Sequence, residues 1–276
     1  MLRAPTMRGD GIGSLPAGGG DAATALAAAL GGDAADYLIG AAHIWRQKLH
    51  VDFTGLPNKD ILSDATHDIG ADADLVVTDS AVFDSIDITN GVGLVAVASA
   101  SGTAVRLAFD LDALTVPVNP KRELRLVWVF TIVGGQVGDR VMPMLVDSAT
   151  ATYTVAIMGG VKWTGGTDRK LRYQLYTGGW NQGDGAVLSS LDGQTYRLEL
   201  NVRDWHAKLY ADVATGLAED PEDGTFHRSM NTGEAAVDTV EADPWSAGRF
   251  ARIDIIPSGA TECTVTVTDC YVLEAL

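Results

Sequence analysis

Residues 122–132 read RELRLVWVFTI. Leu124, Leu126, Trp128, Phe130 and Ile132 fall on one side of a period-two alternation, and Glu123, Arg125, Val127, Val129 and Thr131 on the other. Successive side chains of a β-strand point to opposite faces, so the stretch predicts a long strand with one bulky apolar face turned to a core. Working outward, alternation or β-branched enrichment recurs in DLVVTDS (74–80), GLVAVAS (93–99), TAVRLAFDL (103–111) and RVMPMLVD (140–147). It continues in ATYTVAIM (151–158), KLRYQLYT (170–177), TYRLELNV (195–202), HAKLYADV (206–213), RFARIDIIP (249–257) and CTVTVTDCYVL (263–273). Glycine-rich or polar punctuation separates them: TNGVG, ASASG, VGGQVGD, GGVKWTGGTD, LDGQ and PSGAT all read as turns. So many strands with no long helix between them predict an all-β fold, an antiparallel β-sandwich or jelly roll. The strands follow no fixed repeat period, which argues against a propeller or solenoid.

The N-terminal part differs. Residues 1–20 are rich in Gly and Pro and carry Arg3, Arg8 and Asp10. Next, DAATALAAALGG (21–32) has an Asp21 N-cap, an Ala/Leu body and a Gly-Gly end, so it predicts one short helix. About ten residues of helix are not stable alone in water, so its Leu26/Leu30 stripe must dock on something. We therefore expect an anchoring arm with a short helix over 1–42 and a sandwich domain over 43–276.

The 276 residues suffice for a hydrophobic core without staples, and 46% hydrophobic content excludes wholesale disorder. With 36 acidic against 20 basic residues the net charge is -16, a field that repels nucleic acid and anionic lipid. The longest apolar run, Leu124 to Val133, is interrupted by Arg125, so no membrane insertion is expected, and the N-terminus does not read as a secretory signal. Cys263 and Cys270 lie seven apart on one expected strand. Odd spacing puts them on opposite faces, and about 3.3 Å per residue separates them by roughly 23 Å, so both are read as reduced.

The order of these elements resembles a known family. An early strand (HIWRQKLHVDFTG), then TYRLELNVRDWHAKLYADV with a long excursion, and a closing pair RFARIDIIPSG and TVTVTDCYVLEA are similar to concanavalin A-like lectin/glucanase jelly rolls, including laminin-G-like relatives. The arm, helix and single sandwich together also resemble bacteriophage virion proteins. That resemblance implies a non-enzymatic virion structural protein (tail fibre, adhesion or capsid decoration), assembled in the host cytoplasm. It further implies an anchor to other virion proteins through residues 1–32, a homotrimer, and a lectin-like domain that meets cell-surface glycan. The alternatives are a free carbohydrate-binding lectin module and a glycoside hydrolase-like enzyme.

Retaining glycosidases need two carboxyls about 5 Å apart, often along one strand. The nearest approach is Asp110 and Asp112 in FDLDAL, read as solvated strand-end charges. His43, His50, His67, His206 and His227 show no i, i+2 or i, i+4 pair, so neither a metal nor a cofactor is expected. The acidic stretch 215–248 lacks calcium-loop spacing and reads as a solvated loop. Trp180, Asn181, Gln182 and Asp184 in YTGGWNQGDG combine a stacking ring with amide and carboxylate groups, the chemistry of a sugar site on a glycine-rich turn. Trp163 in VKWTGGTD is read the same way, which makes these five the candidate glycan contacts.

Overall fold

The computed structural model describes residues 37–39, 44–61, 65–78, 83–98, 104–119, 122–150, 153, 156–165, 168–176, 180–188, 193, 195–203, 206–212, 228–231 and 249–276. For 37–39, 165, 171, 173, 175–188, 201–212 and 228–231 it describes the backbone. The arm of residues 1–20, the expected helix of 21–32 and most of the acidic stretch lie outside the described residues.

Among the described residues the regular secondary structure is all strand, in two antiparallel sheets. In order, the strands are β1 (Tyr37–Ile39), β2 (Ile44–Asp52), β3 (Lys59–Asp60), β4 (Thr66–His67), β5 (Leu75–Thr78) and β6 (Phe83–Thr89). Then come β7 (Gly93–Ala98), β8 (Val105–Asp110), β9 (Leu124–Gly134), β10 (Arg140–Val146), β11 (Ala156–Gly165) and β12 (Asp168–Tyr176). The last are β13 (Trp180–Leu188), β14 (Thr195–Arg203), β15 (His206–Asp212), β16 (Arg228–Asn231), β17 (Phe250–Ile256) and β18 (Cys263–Ala275). One sheet runs β16-β15-β14-β9-β18-β7-β6-β3, with β2 also beside β18 and β1 beside β2. The other runs β13-β12-β11-β10-β17-β8-β5-β4. No helix of the described residues is long and apolar enough to cross a membrane.

The opening stretch becomes β9, the centre of the larger sheet. Its five alternating apolar residues all enter the core between the sheets, where Trp128 stacks on Phe109 at 6.3 Å and Phe130 on Tyr196 at 5.7 Å. Its other face is also covered: Arg125 is fully buried, its guanidinium 4.2 Å from the Trp45 ring and 3.9 Å from Glu199.

Strand β18 corrects the expectation that Cys263 and Cys270 face opposite ways. Both are buried free thiols in the same core. The reason is a β-bulge: β18 pairs with β9 as Val267↔Phe130 and then Asp269↔Val129, leaving Thr268 as an extra residue that reverses the inward parity. Cys263, Val265 and Val267 point in before the bulge, and Cys270 and Val272 after it. Burial pushes the Cys270 thiol up, so it stays protonated and unreactive. The same bulge divides the second edge of β18 between β7 and β2.

Two turn assignments also fail. GGVKWTGGTD forms most of β11, and WNQGDG opens β13. Glycine at 160 serves packing instead of turning: a Cβ there would lie 2.2 Å from the Val141 carbonyl oxygen on the neighbouring strand. The expected turn VGGQVGD does form: at 134–139 Gly134, Gly135 and Gly138 hold positive φ and Asp139 accepts from the Gln136 and Ser258 amides at 2.7 Å. Strand β6 has no counterpart among the expected strands, because FDSIDIT carries its apolar positions diluted by acids and hydroxyls.

Candidate functional site

The structure separates the five expected glycan contacts. Trp163 is a core residue, 1% exposed in the cluster between the sheets. Its indole N–H donates to the Gly134 carbonyl at 2.9 Å, and the Arg169 guanidinium lies 4.7 Å from the ring centre. The ring face that a sugar would stack on is thus already taken, and Trp163 is withdrawn as a contact. Its strand alternates Ile157, Val161 and Trp163 inward, a period hidden in the sequence by the glycines between them.

The other four sit on an edge strand instead of a turn. Strand β13 pairs with β12 as Tyr176↔Trp180, Leu175↔Asn181, Gln174↔Gln182 and Arg172↔Asp184. Strand β12 in turn pairs Gln174 with Met158 and Tyr176 with Ala156. Met158 and Ala156 belong to a second apolar cluster, with Met142, Met144 and Val146, on the side of this sheet away from the main core. Directly opposed residues share a face, so positions 180, 182 and 184 share this outer face and 181 takes the inner one. The register brings together three of the four residues, an aromatic, an amide and a carboxylate, at the sheet margin.

The outer face is chemically rich further in. Arg252 is fully buried and reaches Asp254 through Nε at 2.8 Å and Nη2 at 3.1 Å, while Nη1 donates to the Ser148 and Thr150 carbonyls at 2.8 and 2.7 Å. Arg106 stands 3.7 Å from the same carboxylate, and Tyr153 lies over Arg252 at 5.2 Å. Asp110 and Asp112, the nearest approach to a catalytic pair, are engaged structurally. Asp110 accepts the Asp112 amide at 2.9 Å, and Asp112 pairs with Arg249 at 2.7 Å.

Sequence reading missed a second polar cluster on the larger sheet. The bulge turns Asp269 outward, where it meets His50 Nε2 at 3.3 Å and accepts from the Tyr271 hydroxyl at 3.3 Å. The His50 and Tyr271 rings stack at 4.1 Å and 8°. Asp52 stands directly opposite Asp269. Its Oδ1 accepts from the Thr54 amide and hydroxyl and the Gly55 amide, and these bonds hold its carboxyl below the usual range. A glycosidase needs one carboxyl kept protonated by a raised pKa, and Asp52 is tuned the opposite way. The raised group is Tyr271, pushed up to about 12 by burial and then by the neighbouring Asp269 charge. Titrating the phenolate ultraviolet absorbance should therefore show a late tyrosine that Tyr271→Phe removes. Because the native state holds this proton longer than the unfolded chain, stability should fall as pH rises from about 10 toward 12. An absorbance titration in which Tyr271→Phe removes a tyrosine titrating near 10 would contradict the cluster's geometry.

A cavity of about 430 Å³ opens among Leu56, Asn58, Lys59, Asp68, Ile69 and Ile88. Lys59 already donates to the Asp68 carbonyl at 2.6 Å there. Among the described residues no group of three His, Cys, Asp or Glu side chains could hold a metal ion.

No family model and no curated protein matches the chain. Among solved structures it is similar to the CBM2 module of the evolved Dit of Lactobacillus casei BL23 phage J-1, at 10% identity and TM-score 0.43 over 84% of this chain and 96% of that one. A protein of unknown function from Shewanella oneidensis MR-1 is similar at 12% identity and TM-score 0.49, over 83% of this chain and 88% of that one. The carbohydrate esterase of Shiga toxin-encoding bacteriophage phi24B is similar at 13% identity and TM-score 0.39, over 83% and 89%. At these values the likeness is one of general architecture and carries over neither a site residue nor an activity.

Proposed function

We propose that this chain is a non-enzymatic, glycan-binding β-sandwich of the concanavalin A-like kind, displayed on a bacteriophage particle. One observation carries the glycan part: the register of β13 gathers Trp180, Gln182 and Asp184 on one face at a sheet edge. A flat ring covers the apolar face of a sugar at little entropic cost, and the amide and carboxylate supply acceptors and donors for its hydroxyls. Trp180→Ala should abolish glycan-array and cell binding while changing stability by less than about 1 kcal/mol, as for surface substitutions. Full binding by the variant, or a stability loss of several kcal/mol, would remove Trp180 from the site.

The particle part rests on the sequence of residues 1–32, where an arm bearing Arg3 and Arg8 precedes a short Leu/Ala stripe that needs a docking surface. Deleting 1–32 should leave the sandwich folded, since β2 begins at Ile44. It should also convert a homotrimer into single chains by light scattering and abolish incorporation into particles. Unchanged mass and incorporation would end the virion reading.

A further inference from the structure

We infer that the cavity at the β3/β4 margin is a binding site for a small amphipathic monocarboxylate, its apolar body against the edge of the core and its carboxylate on Lys59. The margin lies at the opposite end of the sheets from β13 and β16, so the site is separate from the candidate glycan contacts and does not depend on them. Strand β3 ends the larger sheet beside β6, and β4 ends the smaller one beside β5. At these short terminal strands the interior of the sandwich is reached from outside. Ile69 and Ile88 belong to the main core cluster, and both line the cavity of about 430 Å³. Leu56 lines it too and packs against the same core while only partly buried. The volume falls within the roughly 300–1,000 Å³ of ordinary ligand sites.

One charge faces this apolar hollow. Lys59 is directly opposed to Ile88, and directly opposed residues share a face, so the lysine takes the inner side of its strand. The next residue, Asp60, is opposed to Asp87 and takes the outer side. Lys59 Nζ donates to the Asp68 carbonyl at 2.6 Å, which uses one of its three N–H groups and does not neutralise its charge. The Asp68 carboxylate accepts from the Gly70 amide at 2.8 Å, and among the described residues no carboxylate pairs with Lys59. A ligand carboxylate would supply that counter-charge beside an apolar wall, where a contact pair is screened less than in open water.

The walls are held in place by the protein's own bonds. Asn90 Nδ2 donates to the Leu56 carbonyl at 2.9 Å, the Asn90 amide to Asn58 Oδ1 at 2.7 Å, and the Gly91 amide to the Thr54 carbonyl at 2.8 Å. These three bonds clamp residues 54–58 on the turn that follows β6, and a preformed site loses less affinity to ordering. With Oδ1 engaged, the Asn58 amide offers N–H donors at the same cavity as Lys59. An inward-pointing charge on an edge strand can also guard the edge against pairing with another chain. A guard needs no hollow behind it, and this lysine has an apolar one of ligand size.

The test titrates the full chain with butyrate, hexanoate and octanoate by calorimetry, with octanol and galacturonate as comparisons. We expect affinity to rise roughly two- to fourfold per added methylene, as burial of the apolar body requires. Octanol should bind at least about tenfold more weakly than octanoate, the scale of a hydrogen bond to a charged group. Lys59→Met should lower octanoate affinity by the same factor and leave octanol binding unchanged, and Lys59→Arg should keep octanoate. Leu56→Trp, which narrows the cavity without touching the charge, should weaken both ligands. Absence of octanoate binding, or octanoate bound by Lys59→Met as by the parent, would overturn the inference. If Lys59→Met also self-associates in light scattering, the lysine is an edge guard alone. Galacturonate bound more tightly than octanoate would overturn the apolar-bodied class.

Discussion

Trp163→Ala lowers the unfolding free energy by about 3 to 5 kcal/mol, the range for truncating a buried aromatic, and leaves glycan binding of the surviving folded fraction intact. The ring lies in the main core, and three separate features depend on it. Its N–H fixes the Gly134 carbonyl at the start of the 134–139 turn. Its π face receives Arg169, which is fully buried and so gains more from the contact than a solvated cation would. Its edge is matched to Gly135, where a Cβ would stand 2.8 Å from the indole nitrogen. Truncation leaves a cavity beneath a buried guanidinium. Urea unfolding with an unchanged slope measures the loss. A change under about 1 kcal/mol with abolished binding would restore Trp163 to the glycan site.

Trp163 shows what the sequence could and could not reveal. It sits among glycines, and glycine next to tryptophan reads as a turn presenting a ring. What decides its place crosses from neighbouring strands. Gly160 is needed because the Val141 carbonyl comes close, and Gly135 because the indole does, and neither neighbour is local. In β9, by contrast, everything needed was in eleven residues, because bulky apolar side chains alternated without a break. Its inner face is legible residue by residue from that alternation alone.

Parity arguments fail wherever a bulge intervenes. CTVTVTDCYVL alternates well on each side of Thr268, and the extra residue leaves no mark in composition. That one residue brings both cysteines to the core and turns Asp269 toward His50 and Tyr271.

The buried charges of the outer face carry the last large effect. Asp254→Ala should destabilise the chain by about 3 to 5 kcal/mol, as expected when one partner of a buried pair is removed. Arg252 is fully buried, and Arg106 is nearly so, with its pKa lowered first by burial. Burial also raises the Asp254 carboxyl pKa, and the two arginines pull it back down, so the ionised pair is costly in itself. The half-pair is worse, because Arg252 then sits away from water without the carboxylate that offset it, and Arg106 loses the one it shares. Arg252 would keep the Ser148 and Thr150 carbonyls, which satisfy Nη1 but not the charge. Adding Arg252→Met should recover part of the loss, since Met142, Met144 and Phe250 already make this layer apolar. The recovery should be incomplete while Arg106 remains. Chemical unfolding of the single and double variants decides the matter: an Asp254→Ala chain within about 1 kcal/mol of the parent, or a double variant less stable than the single, would mean that the pair does not hold the charge of this face.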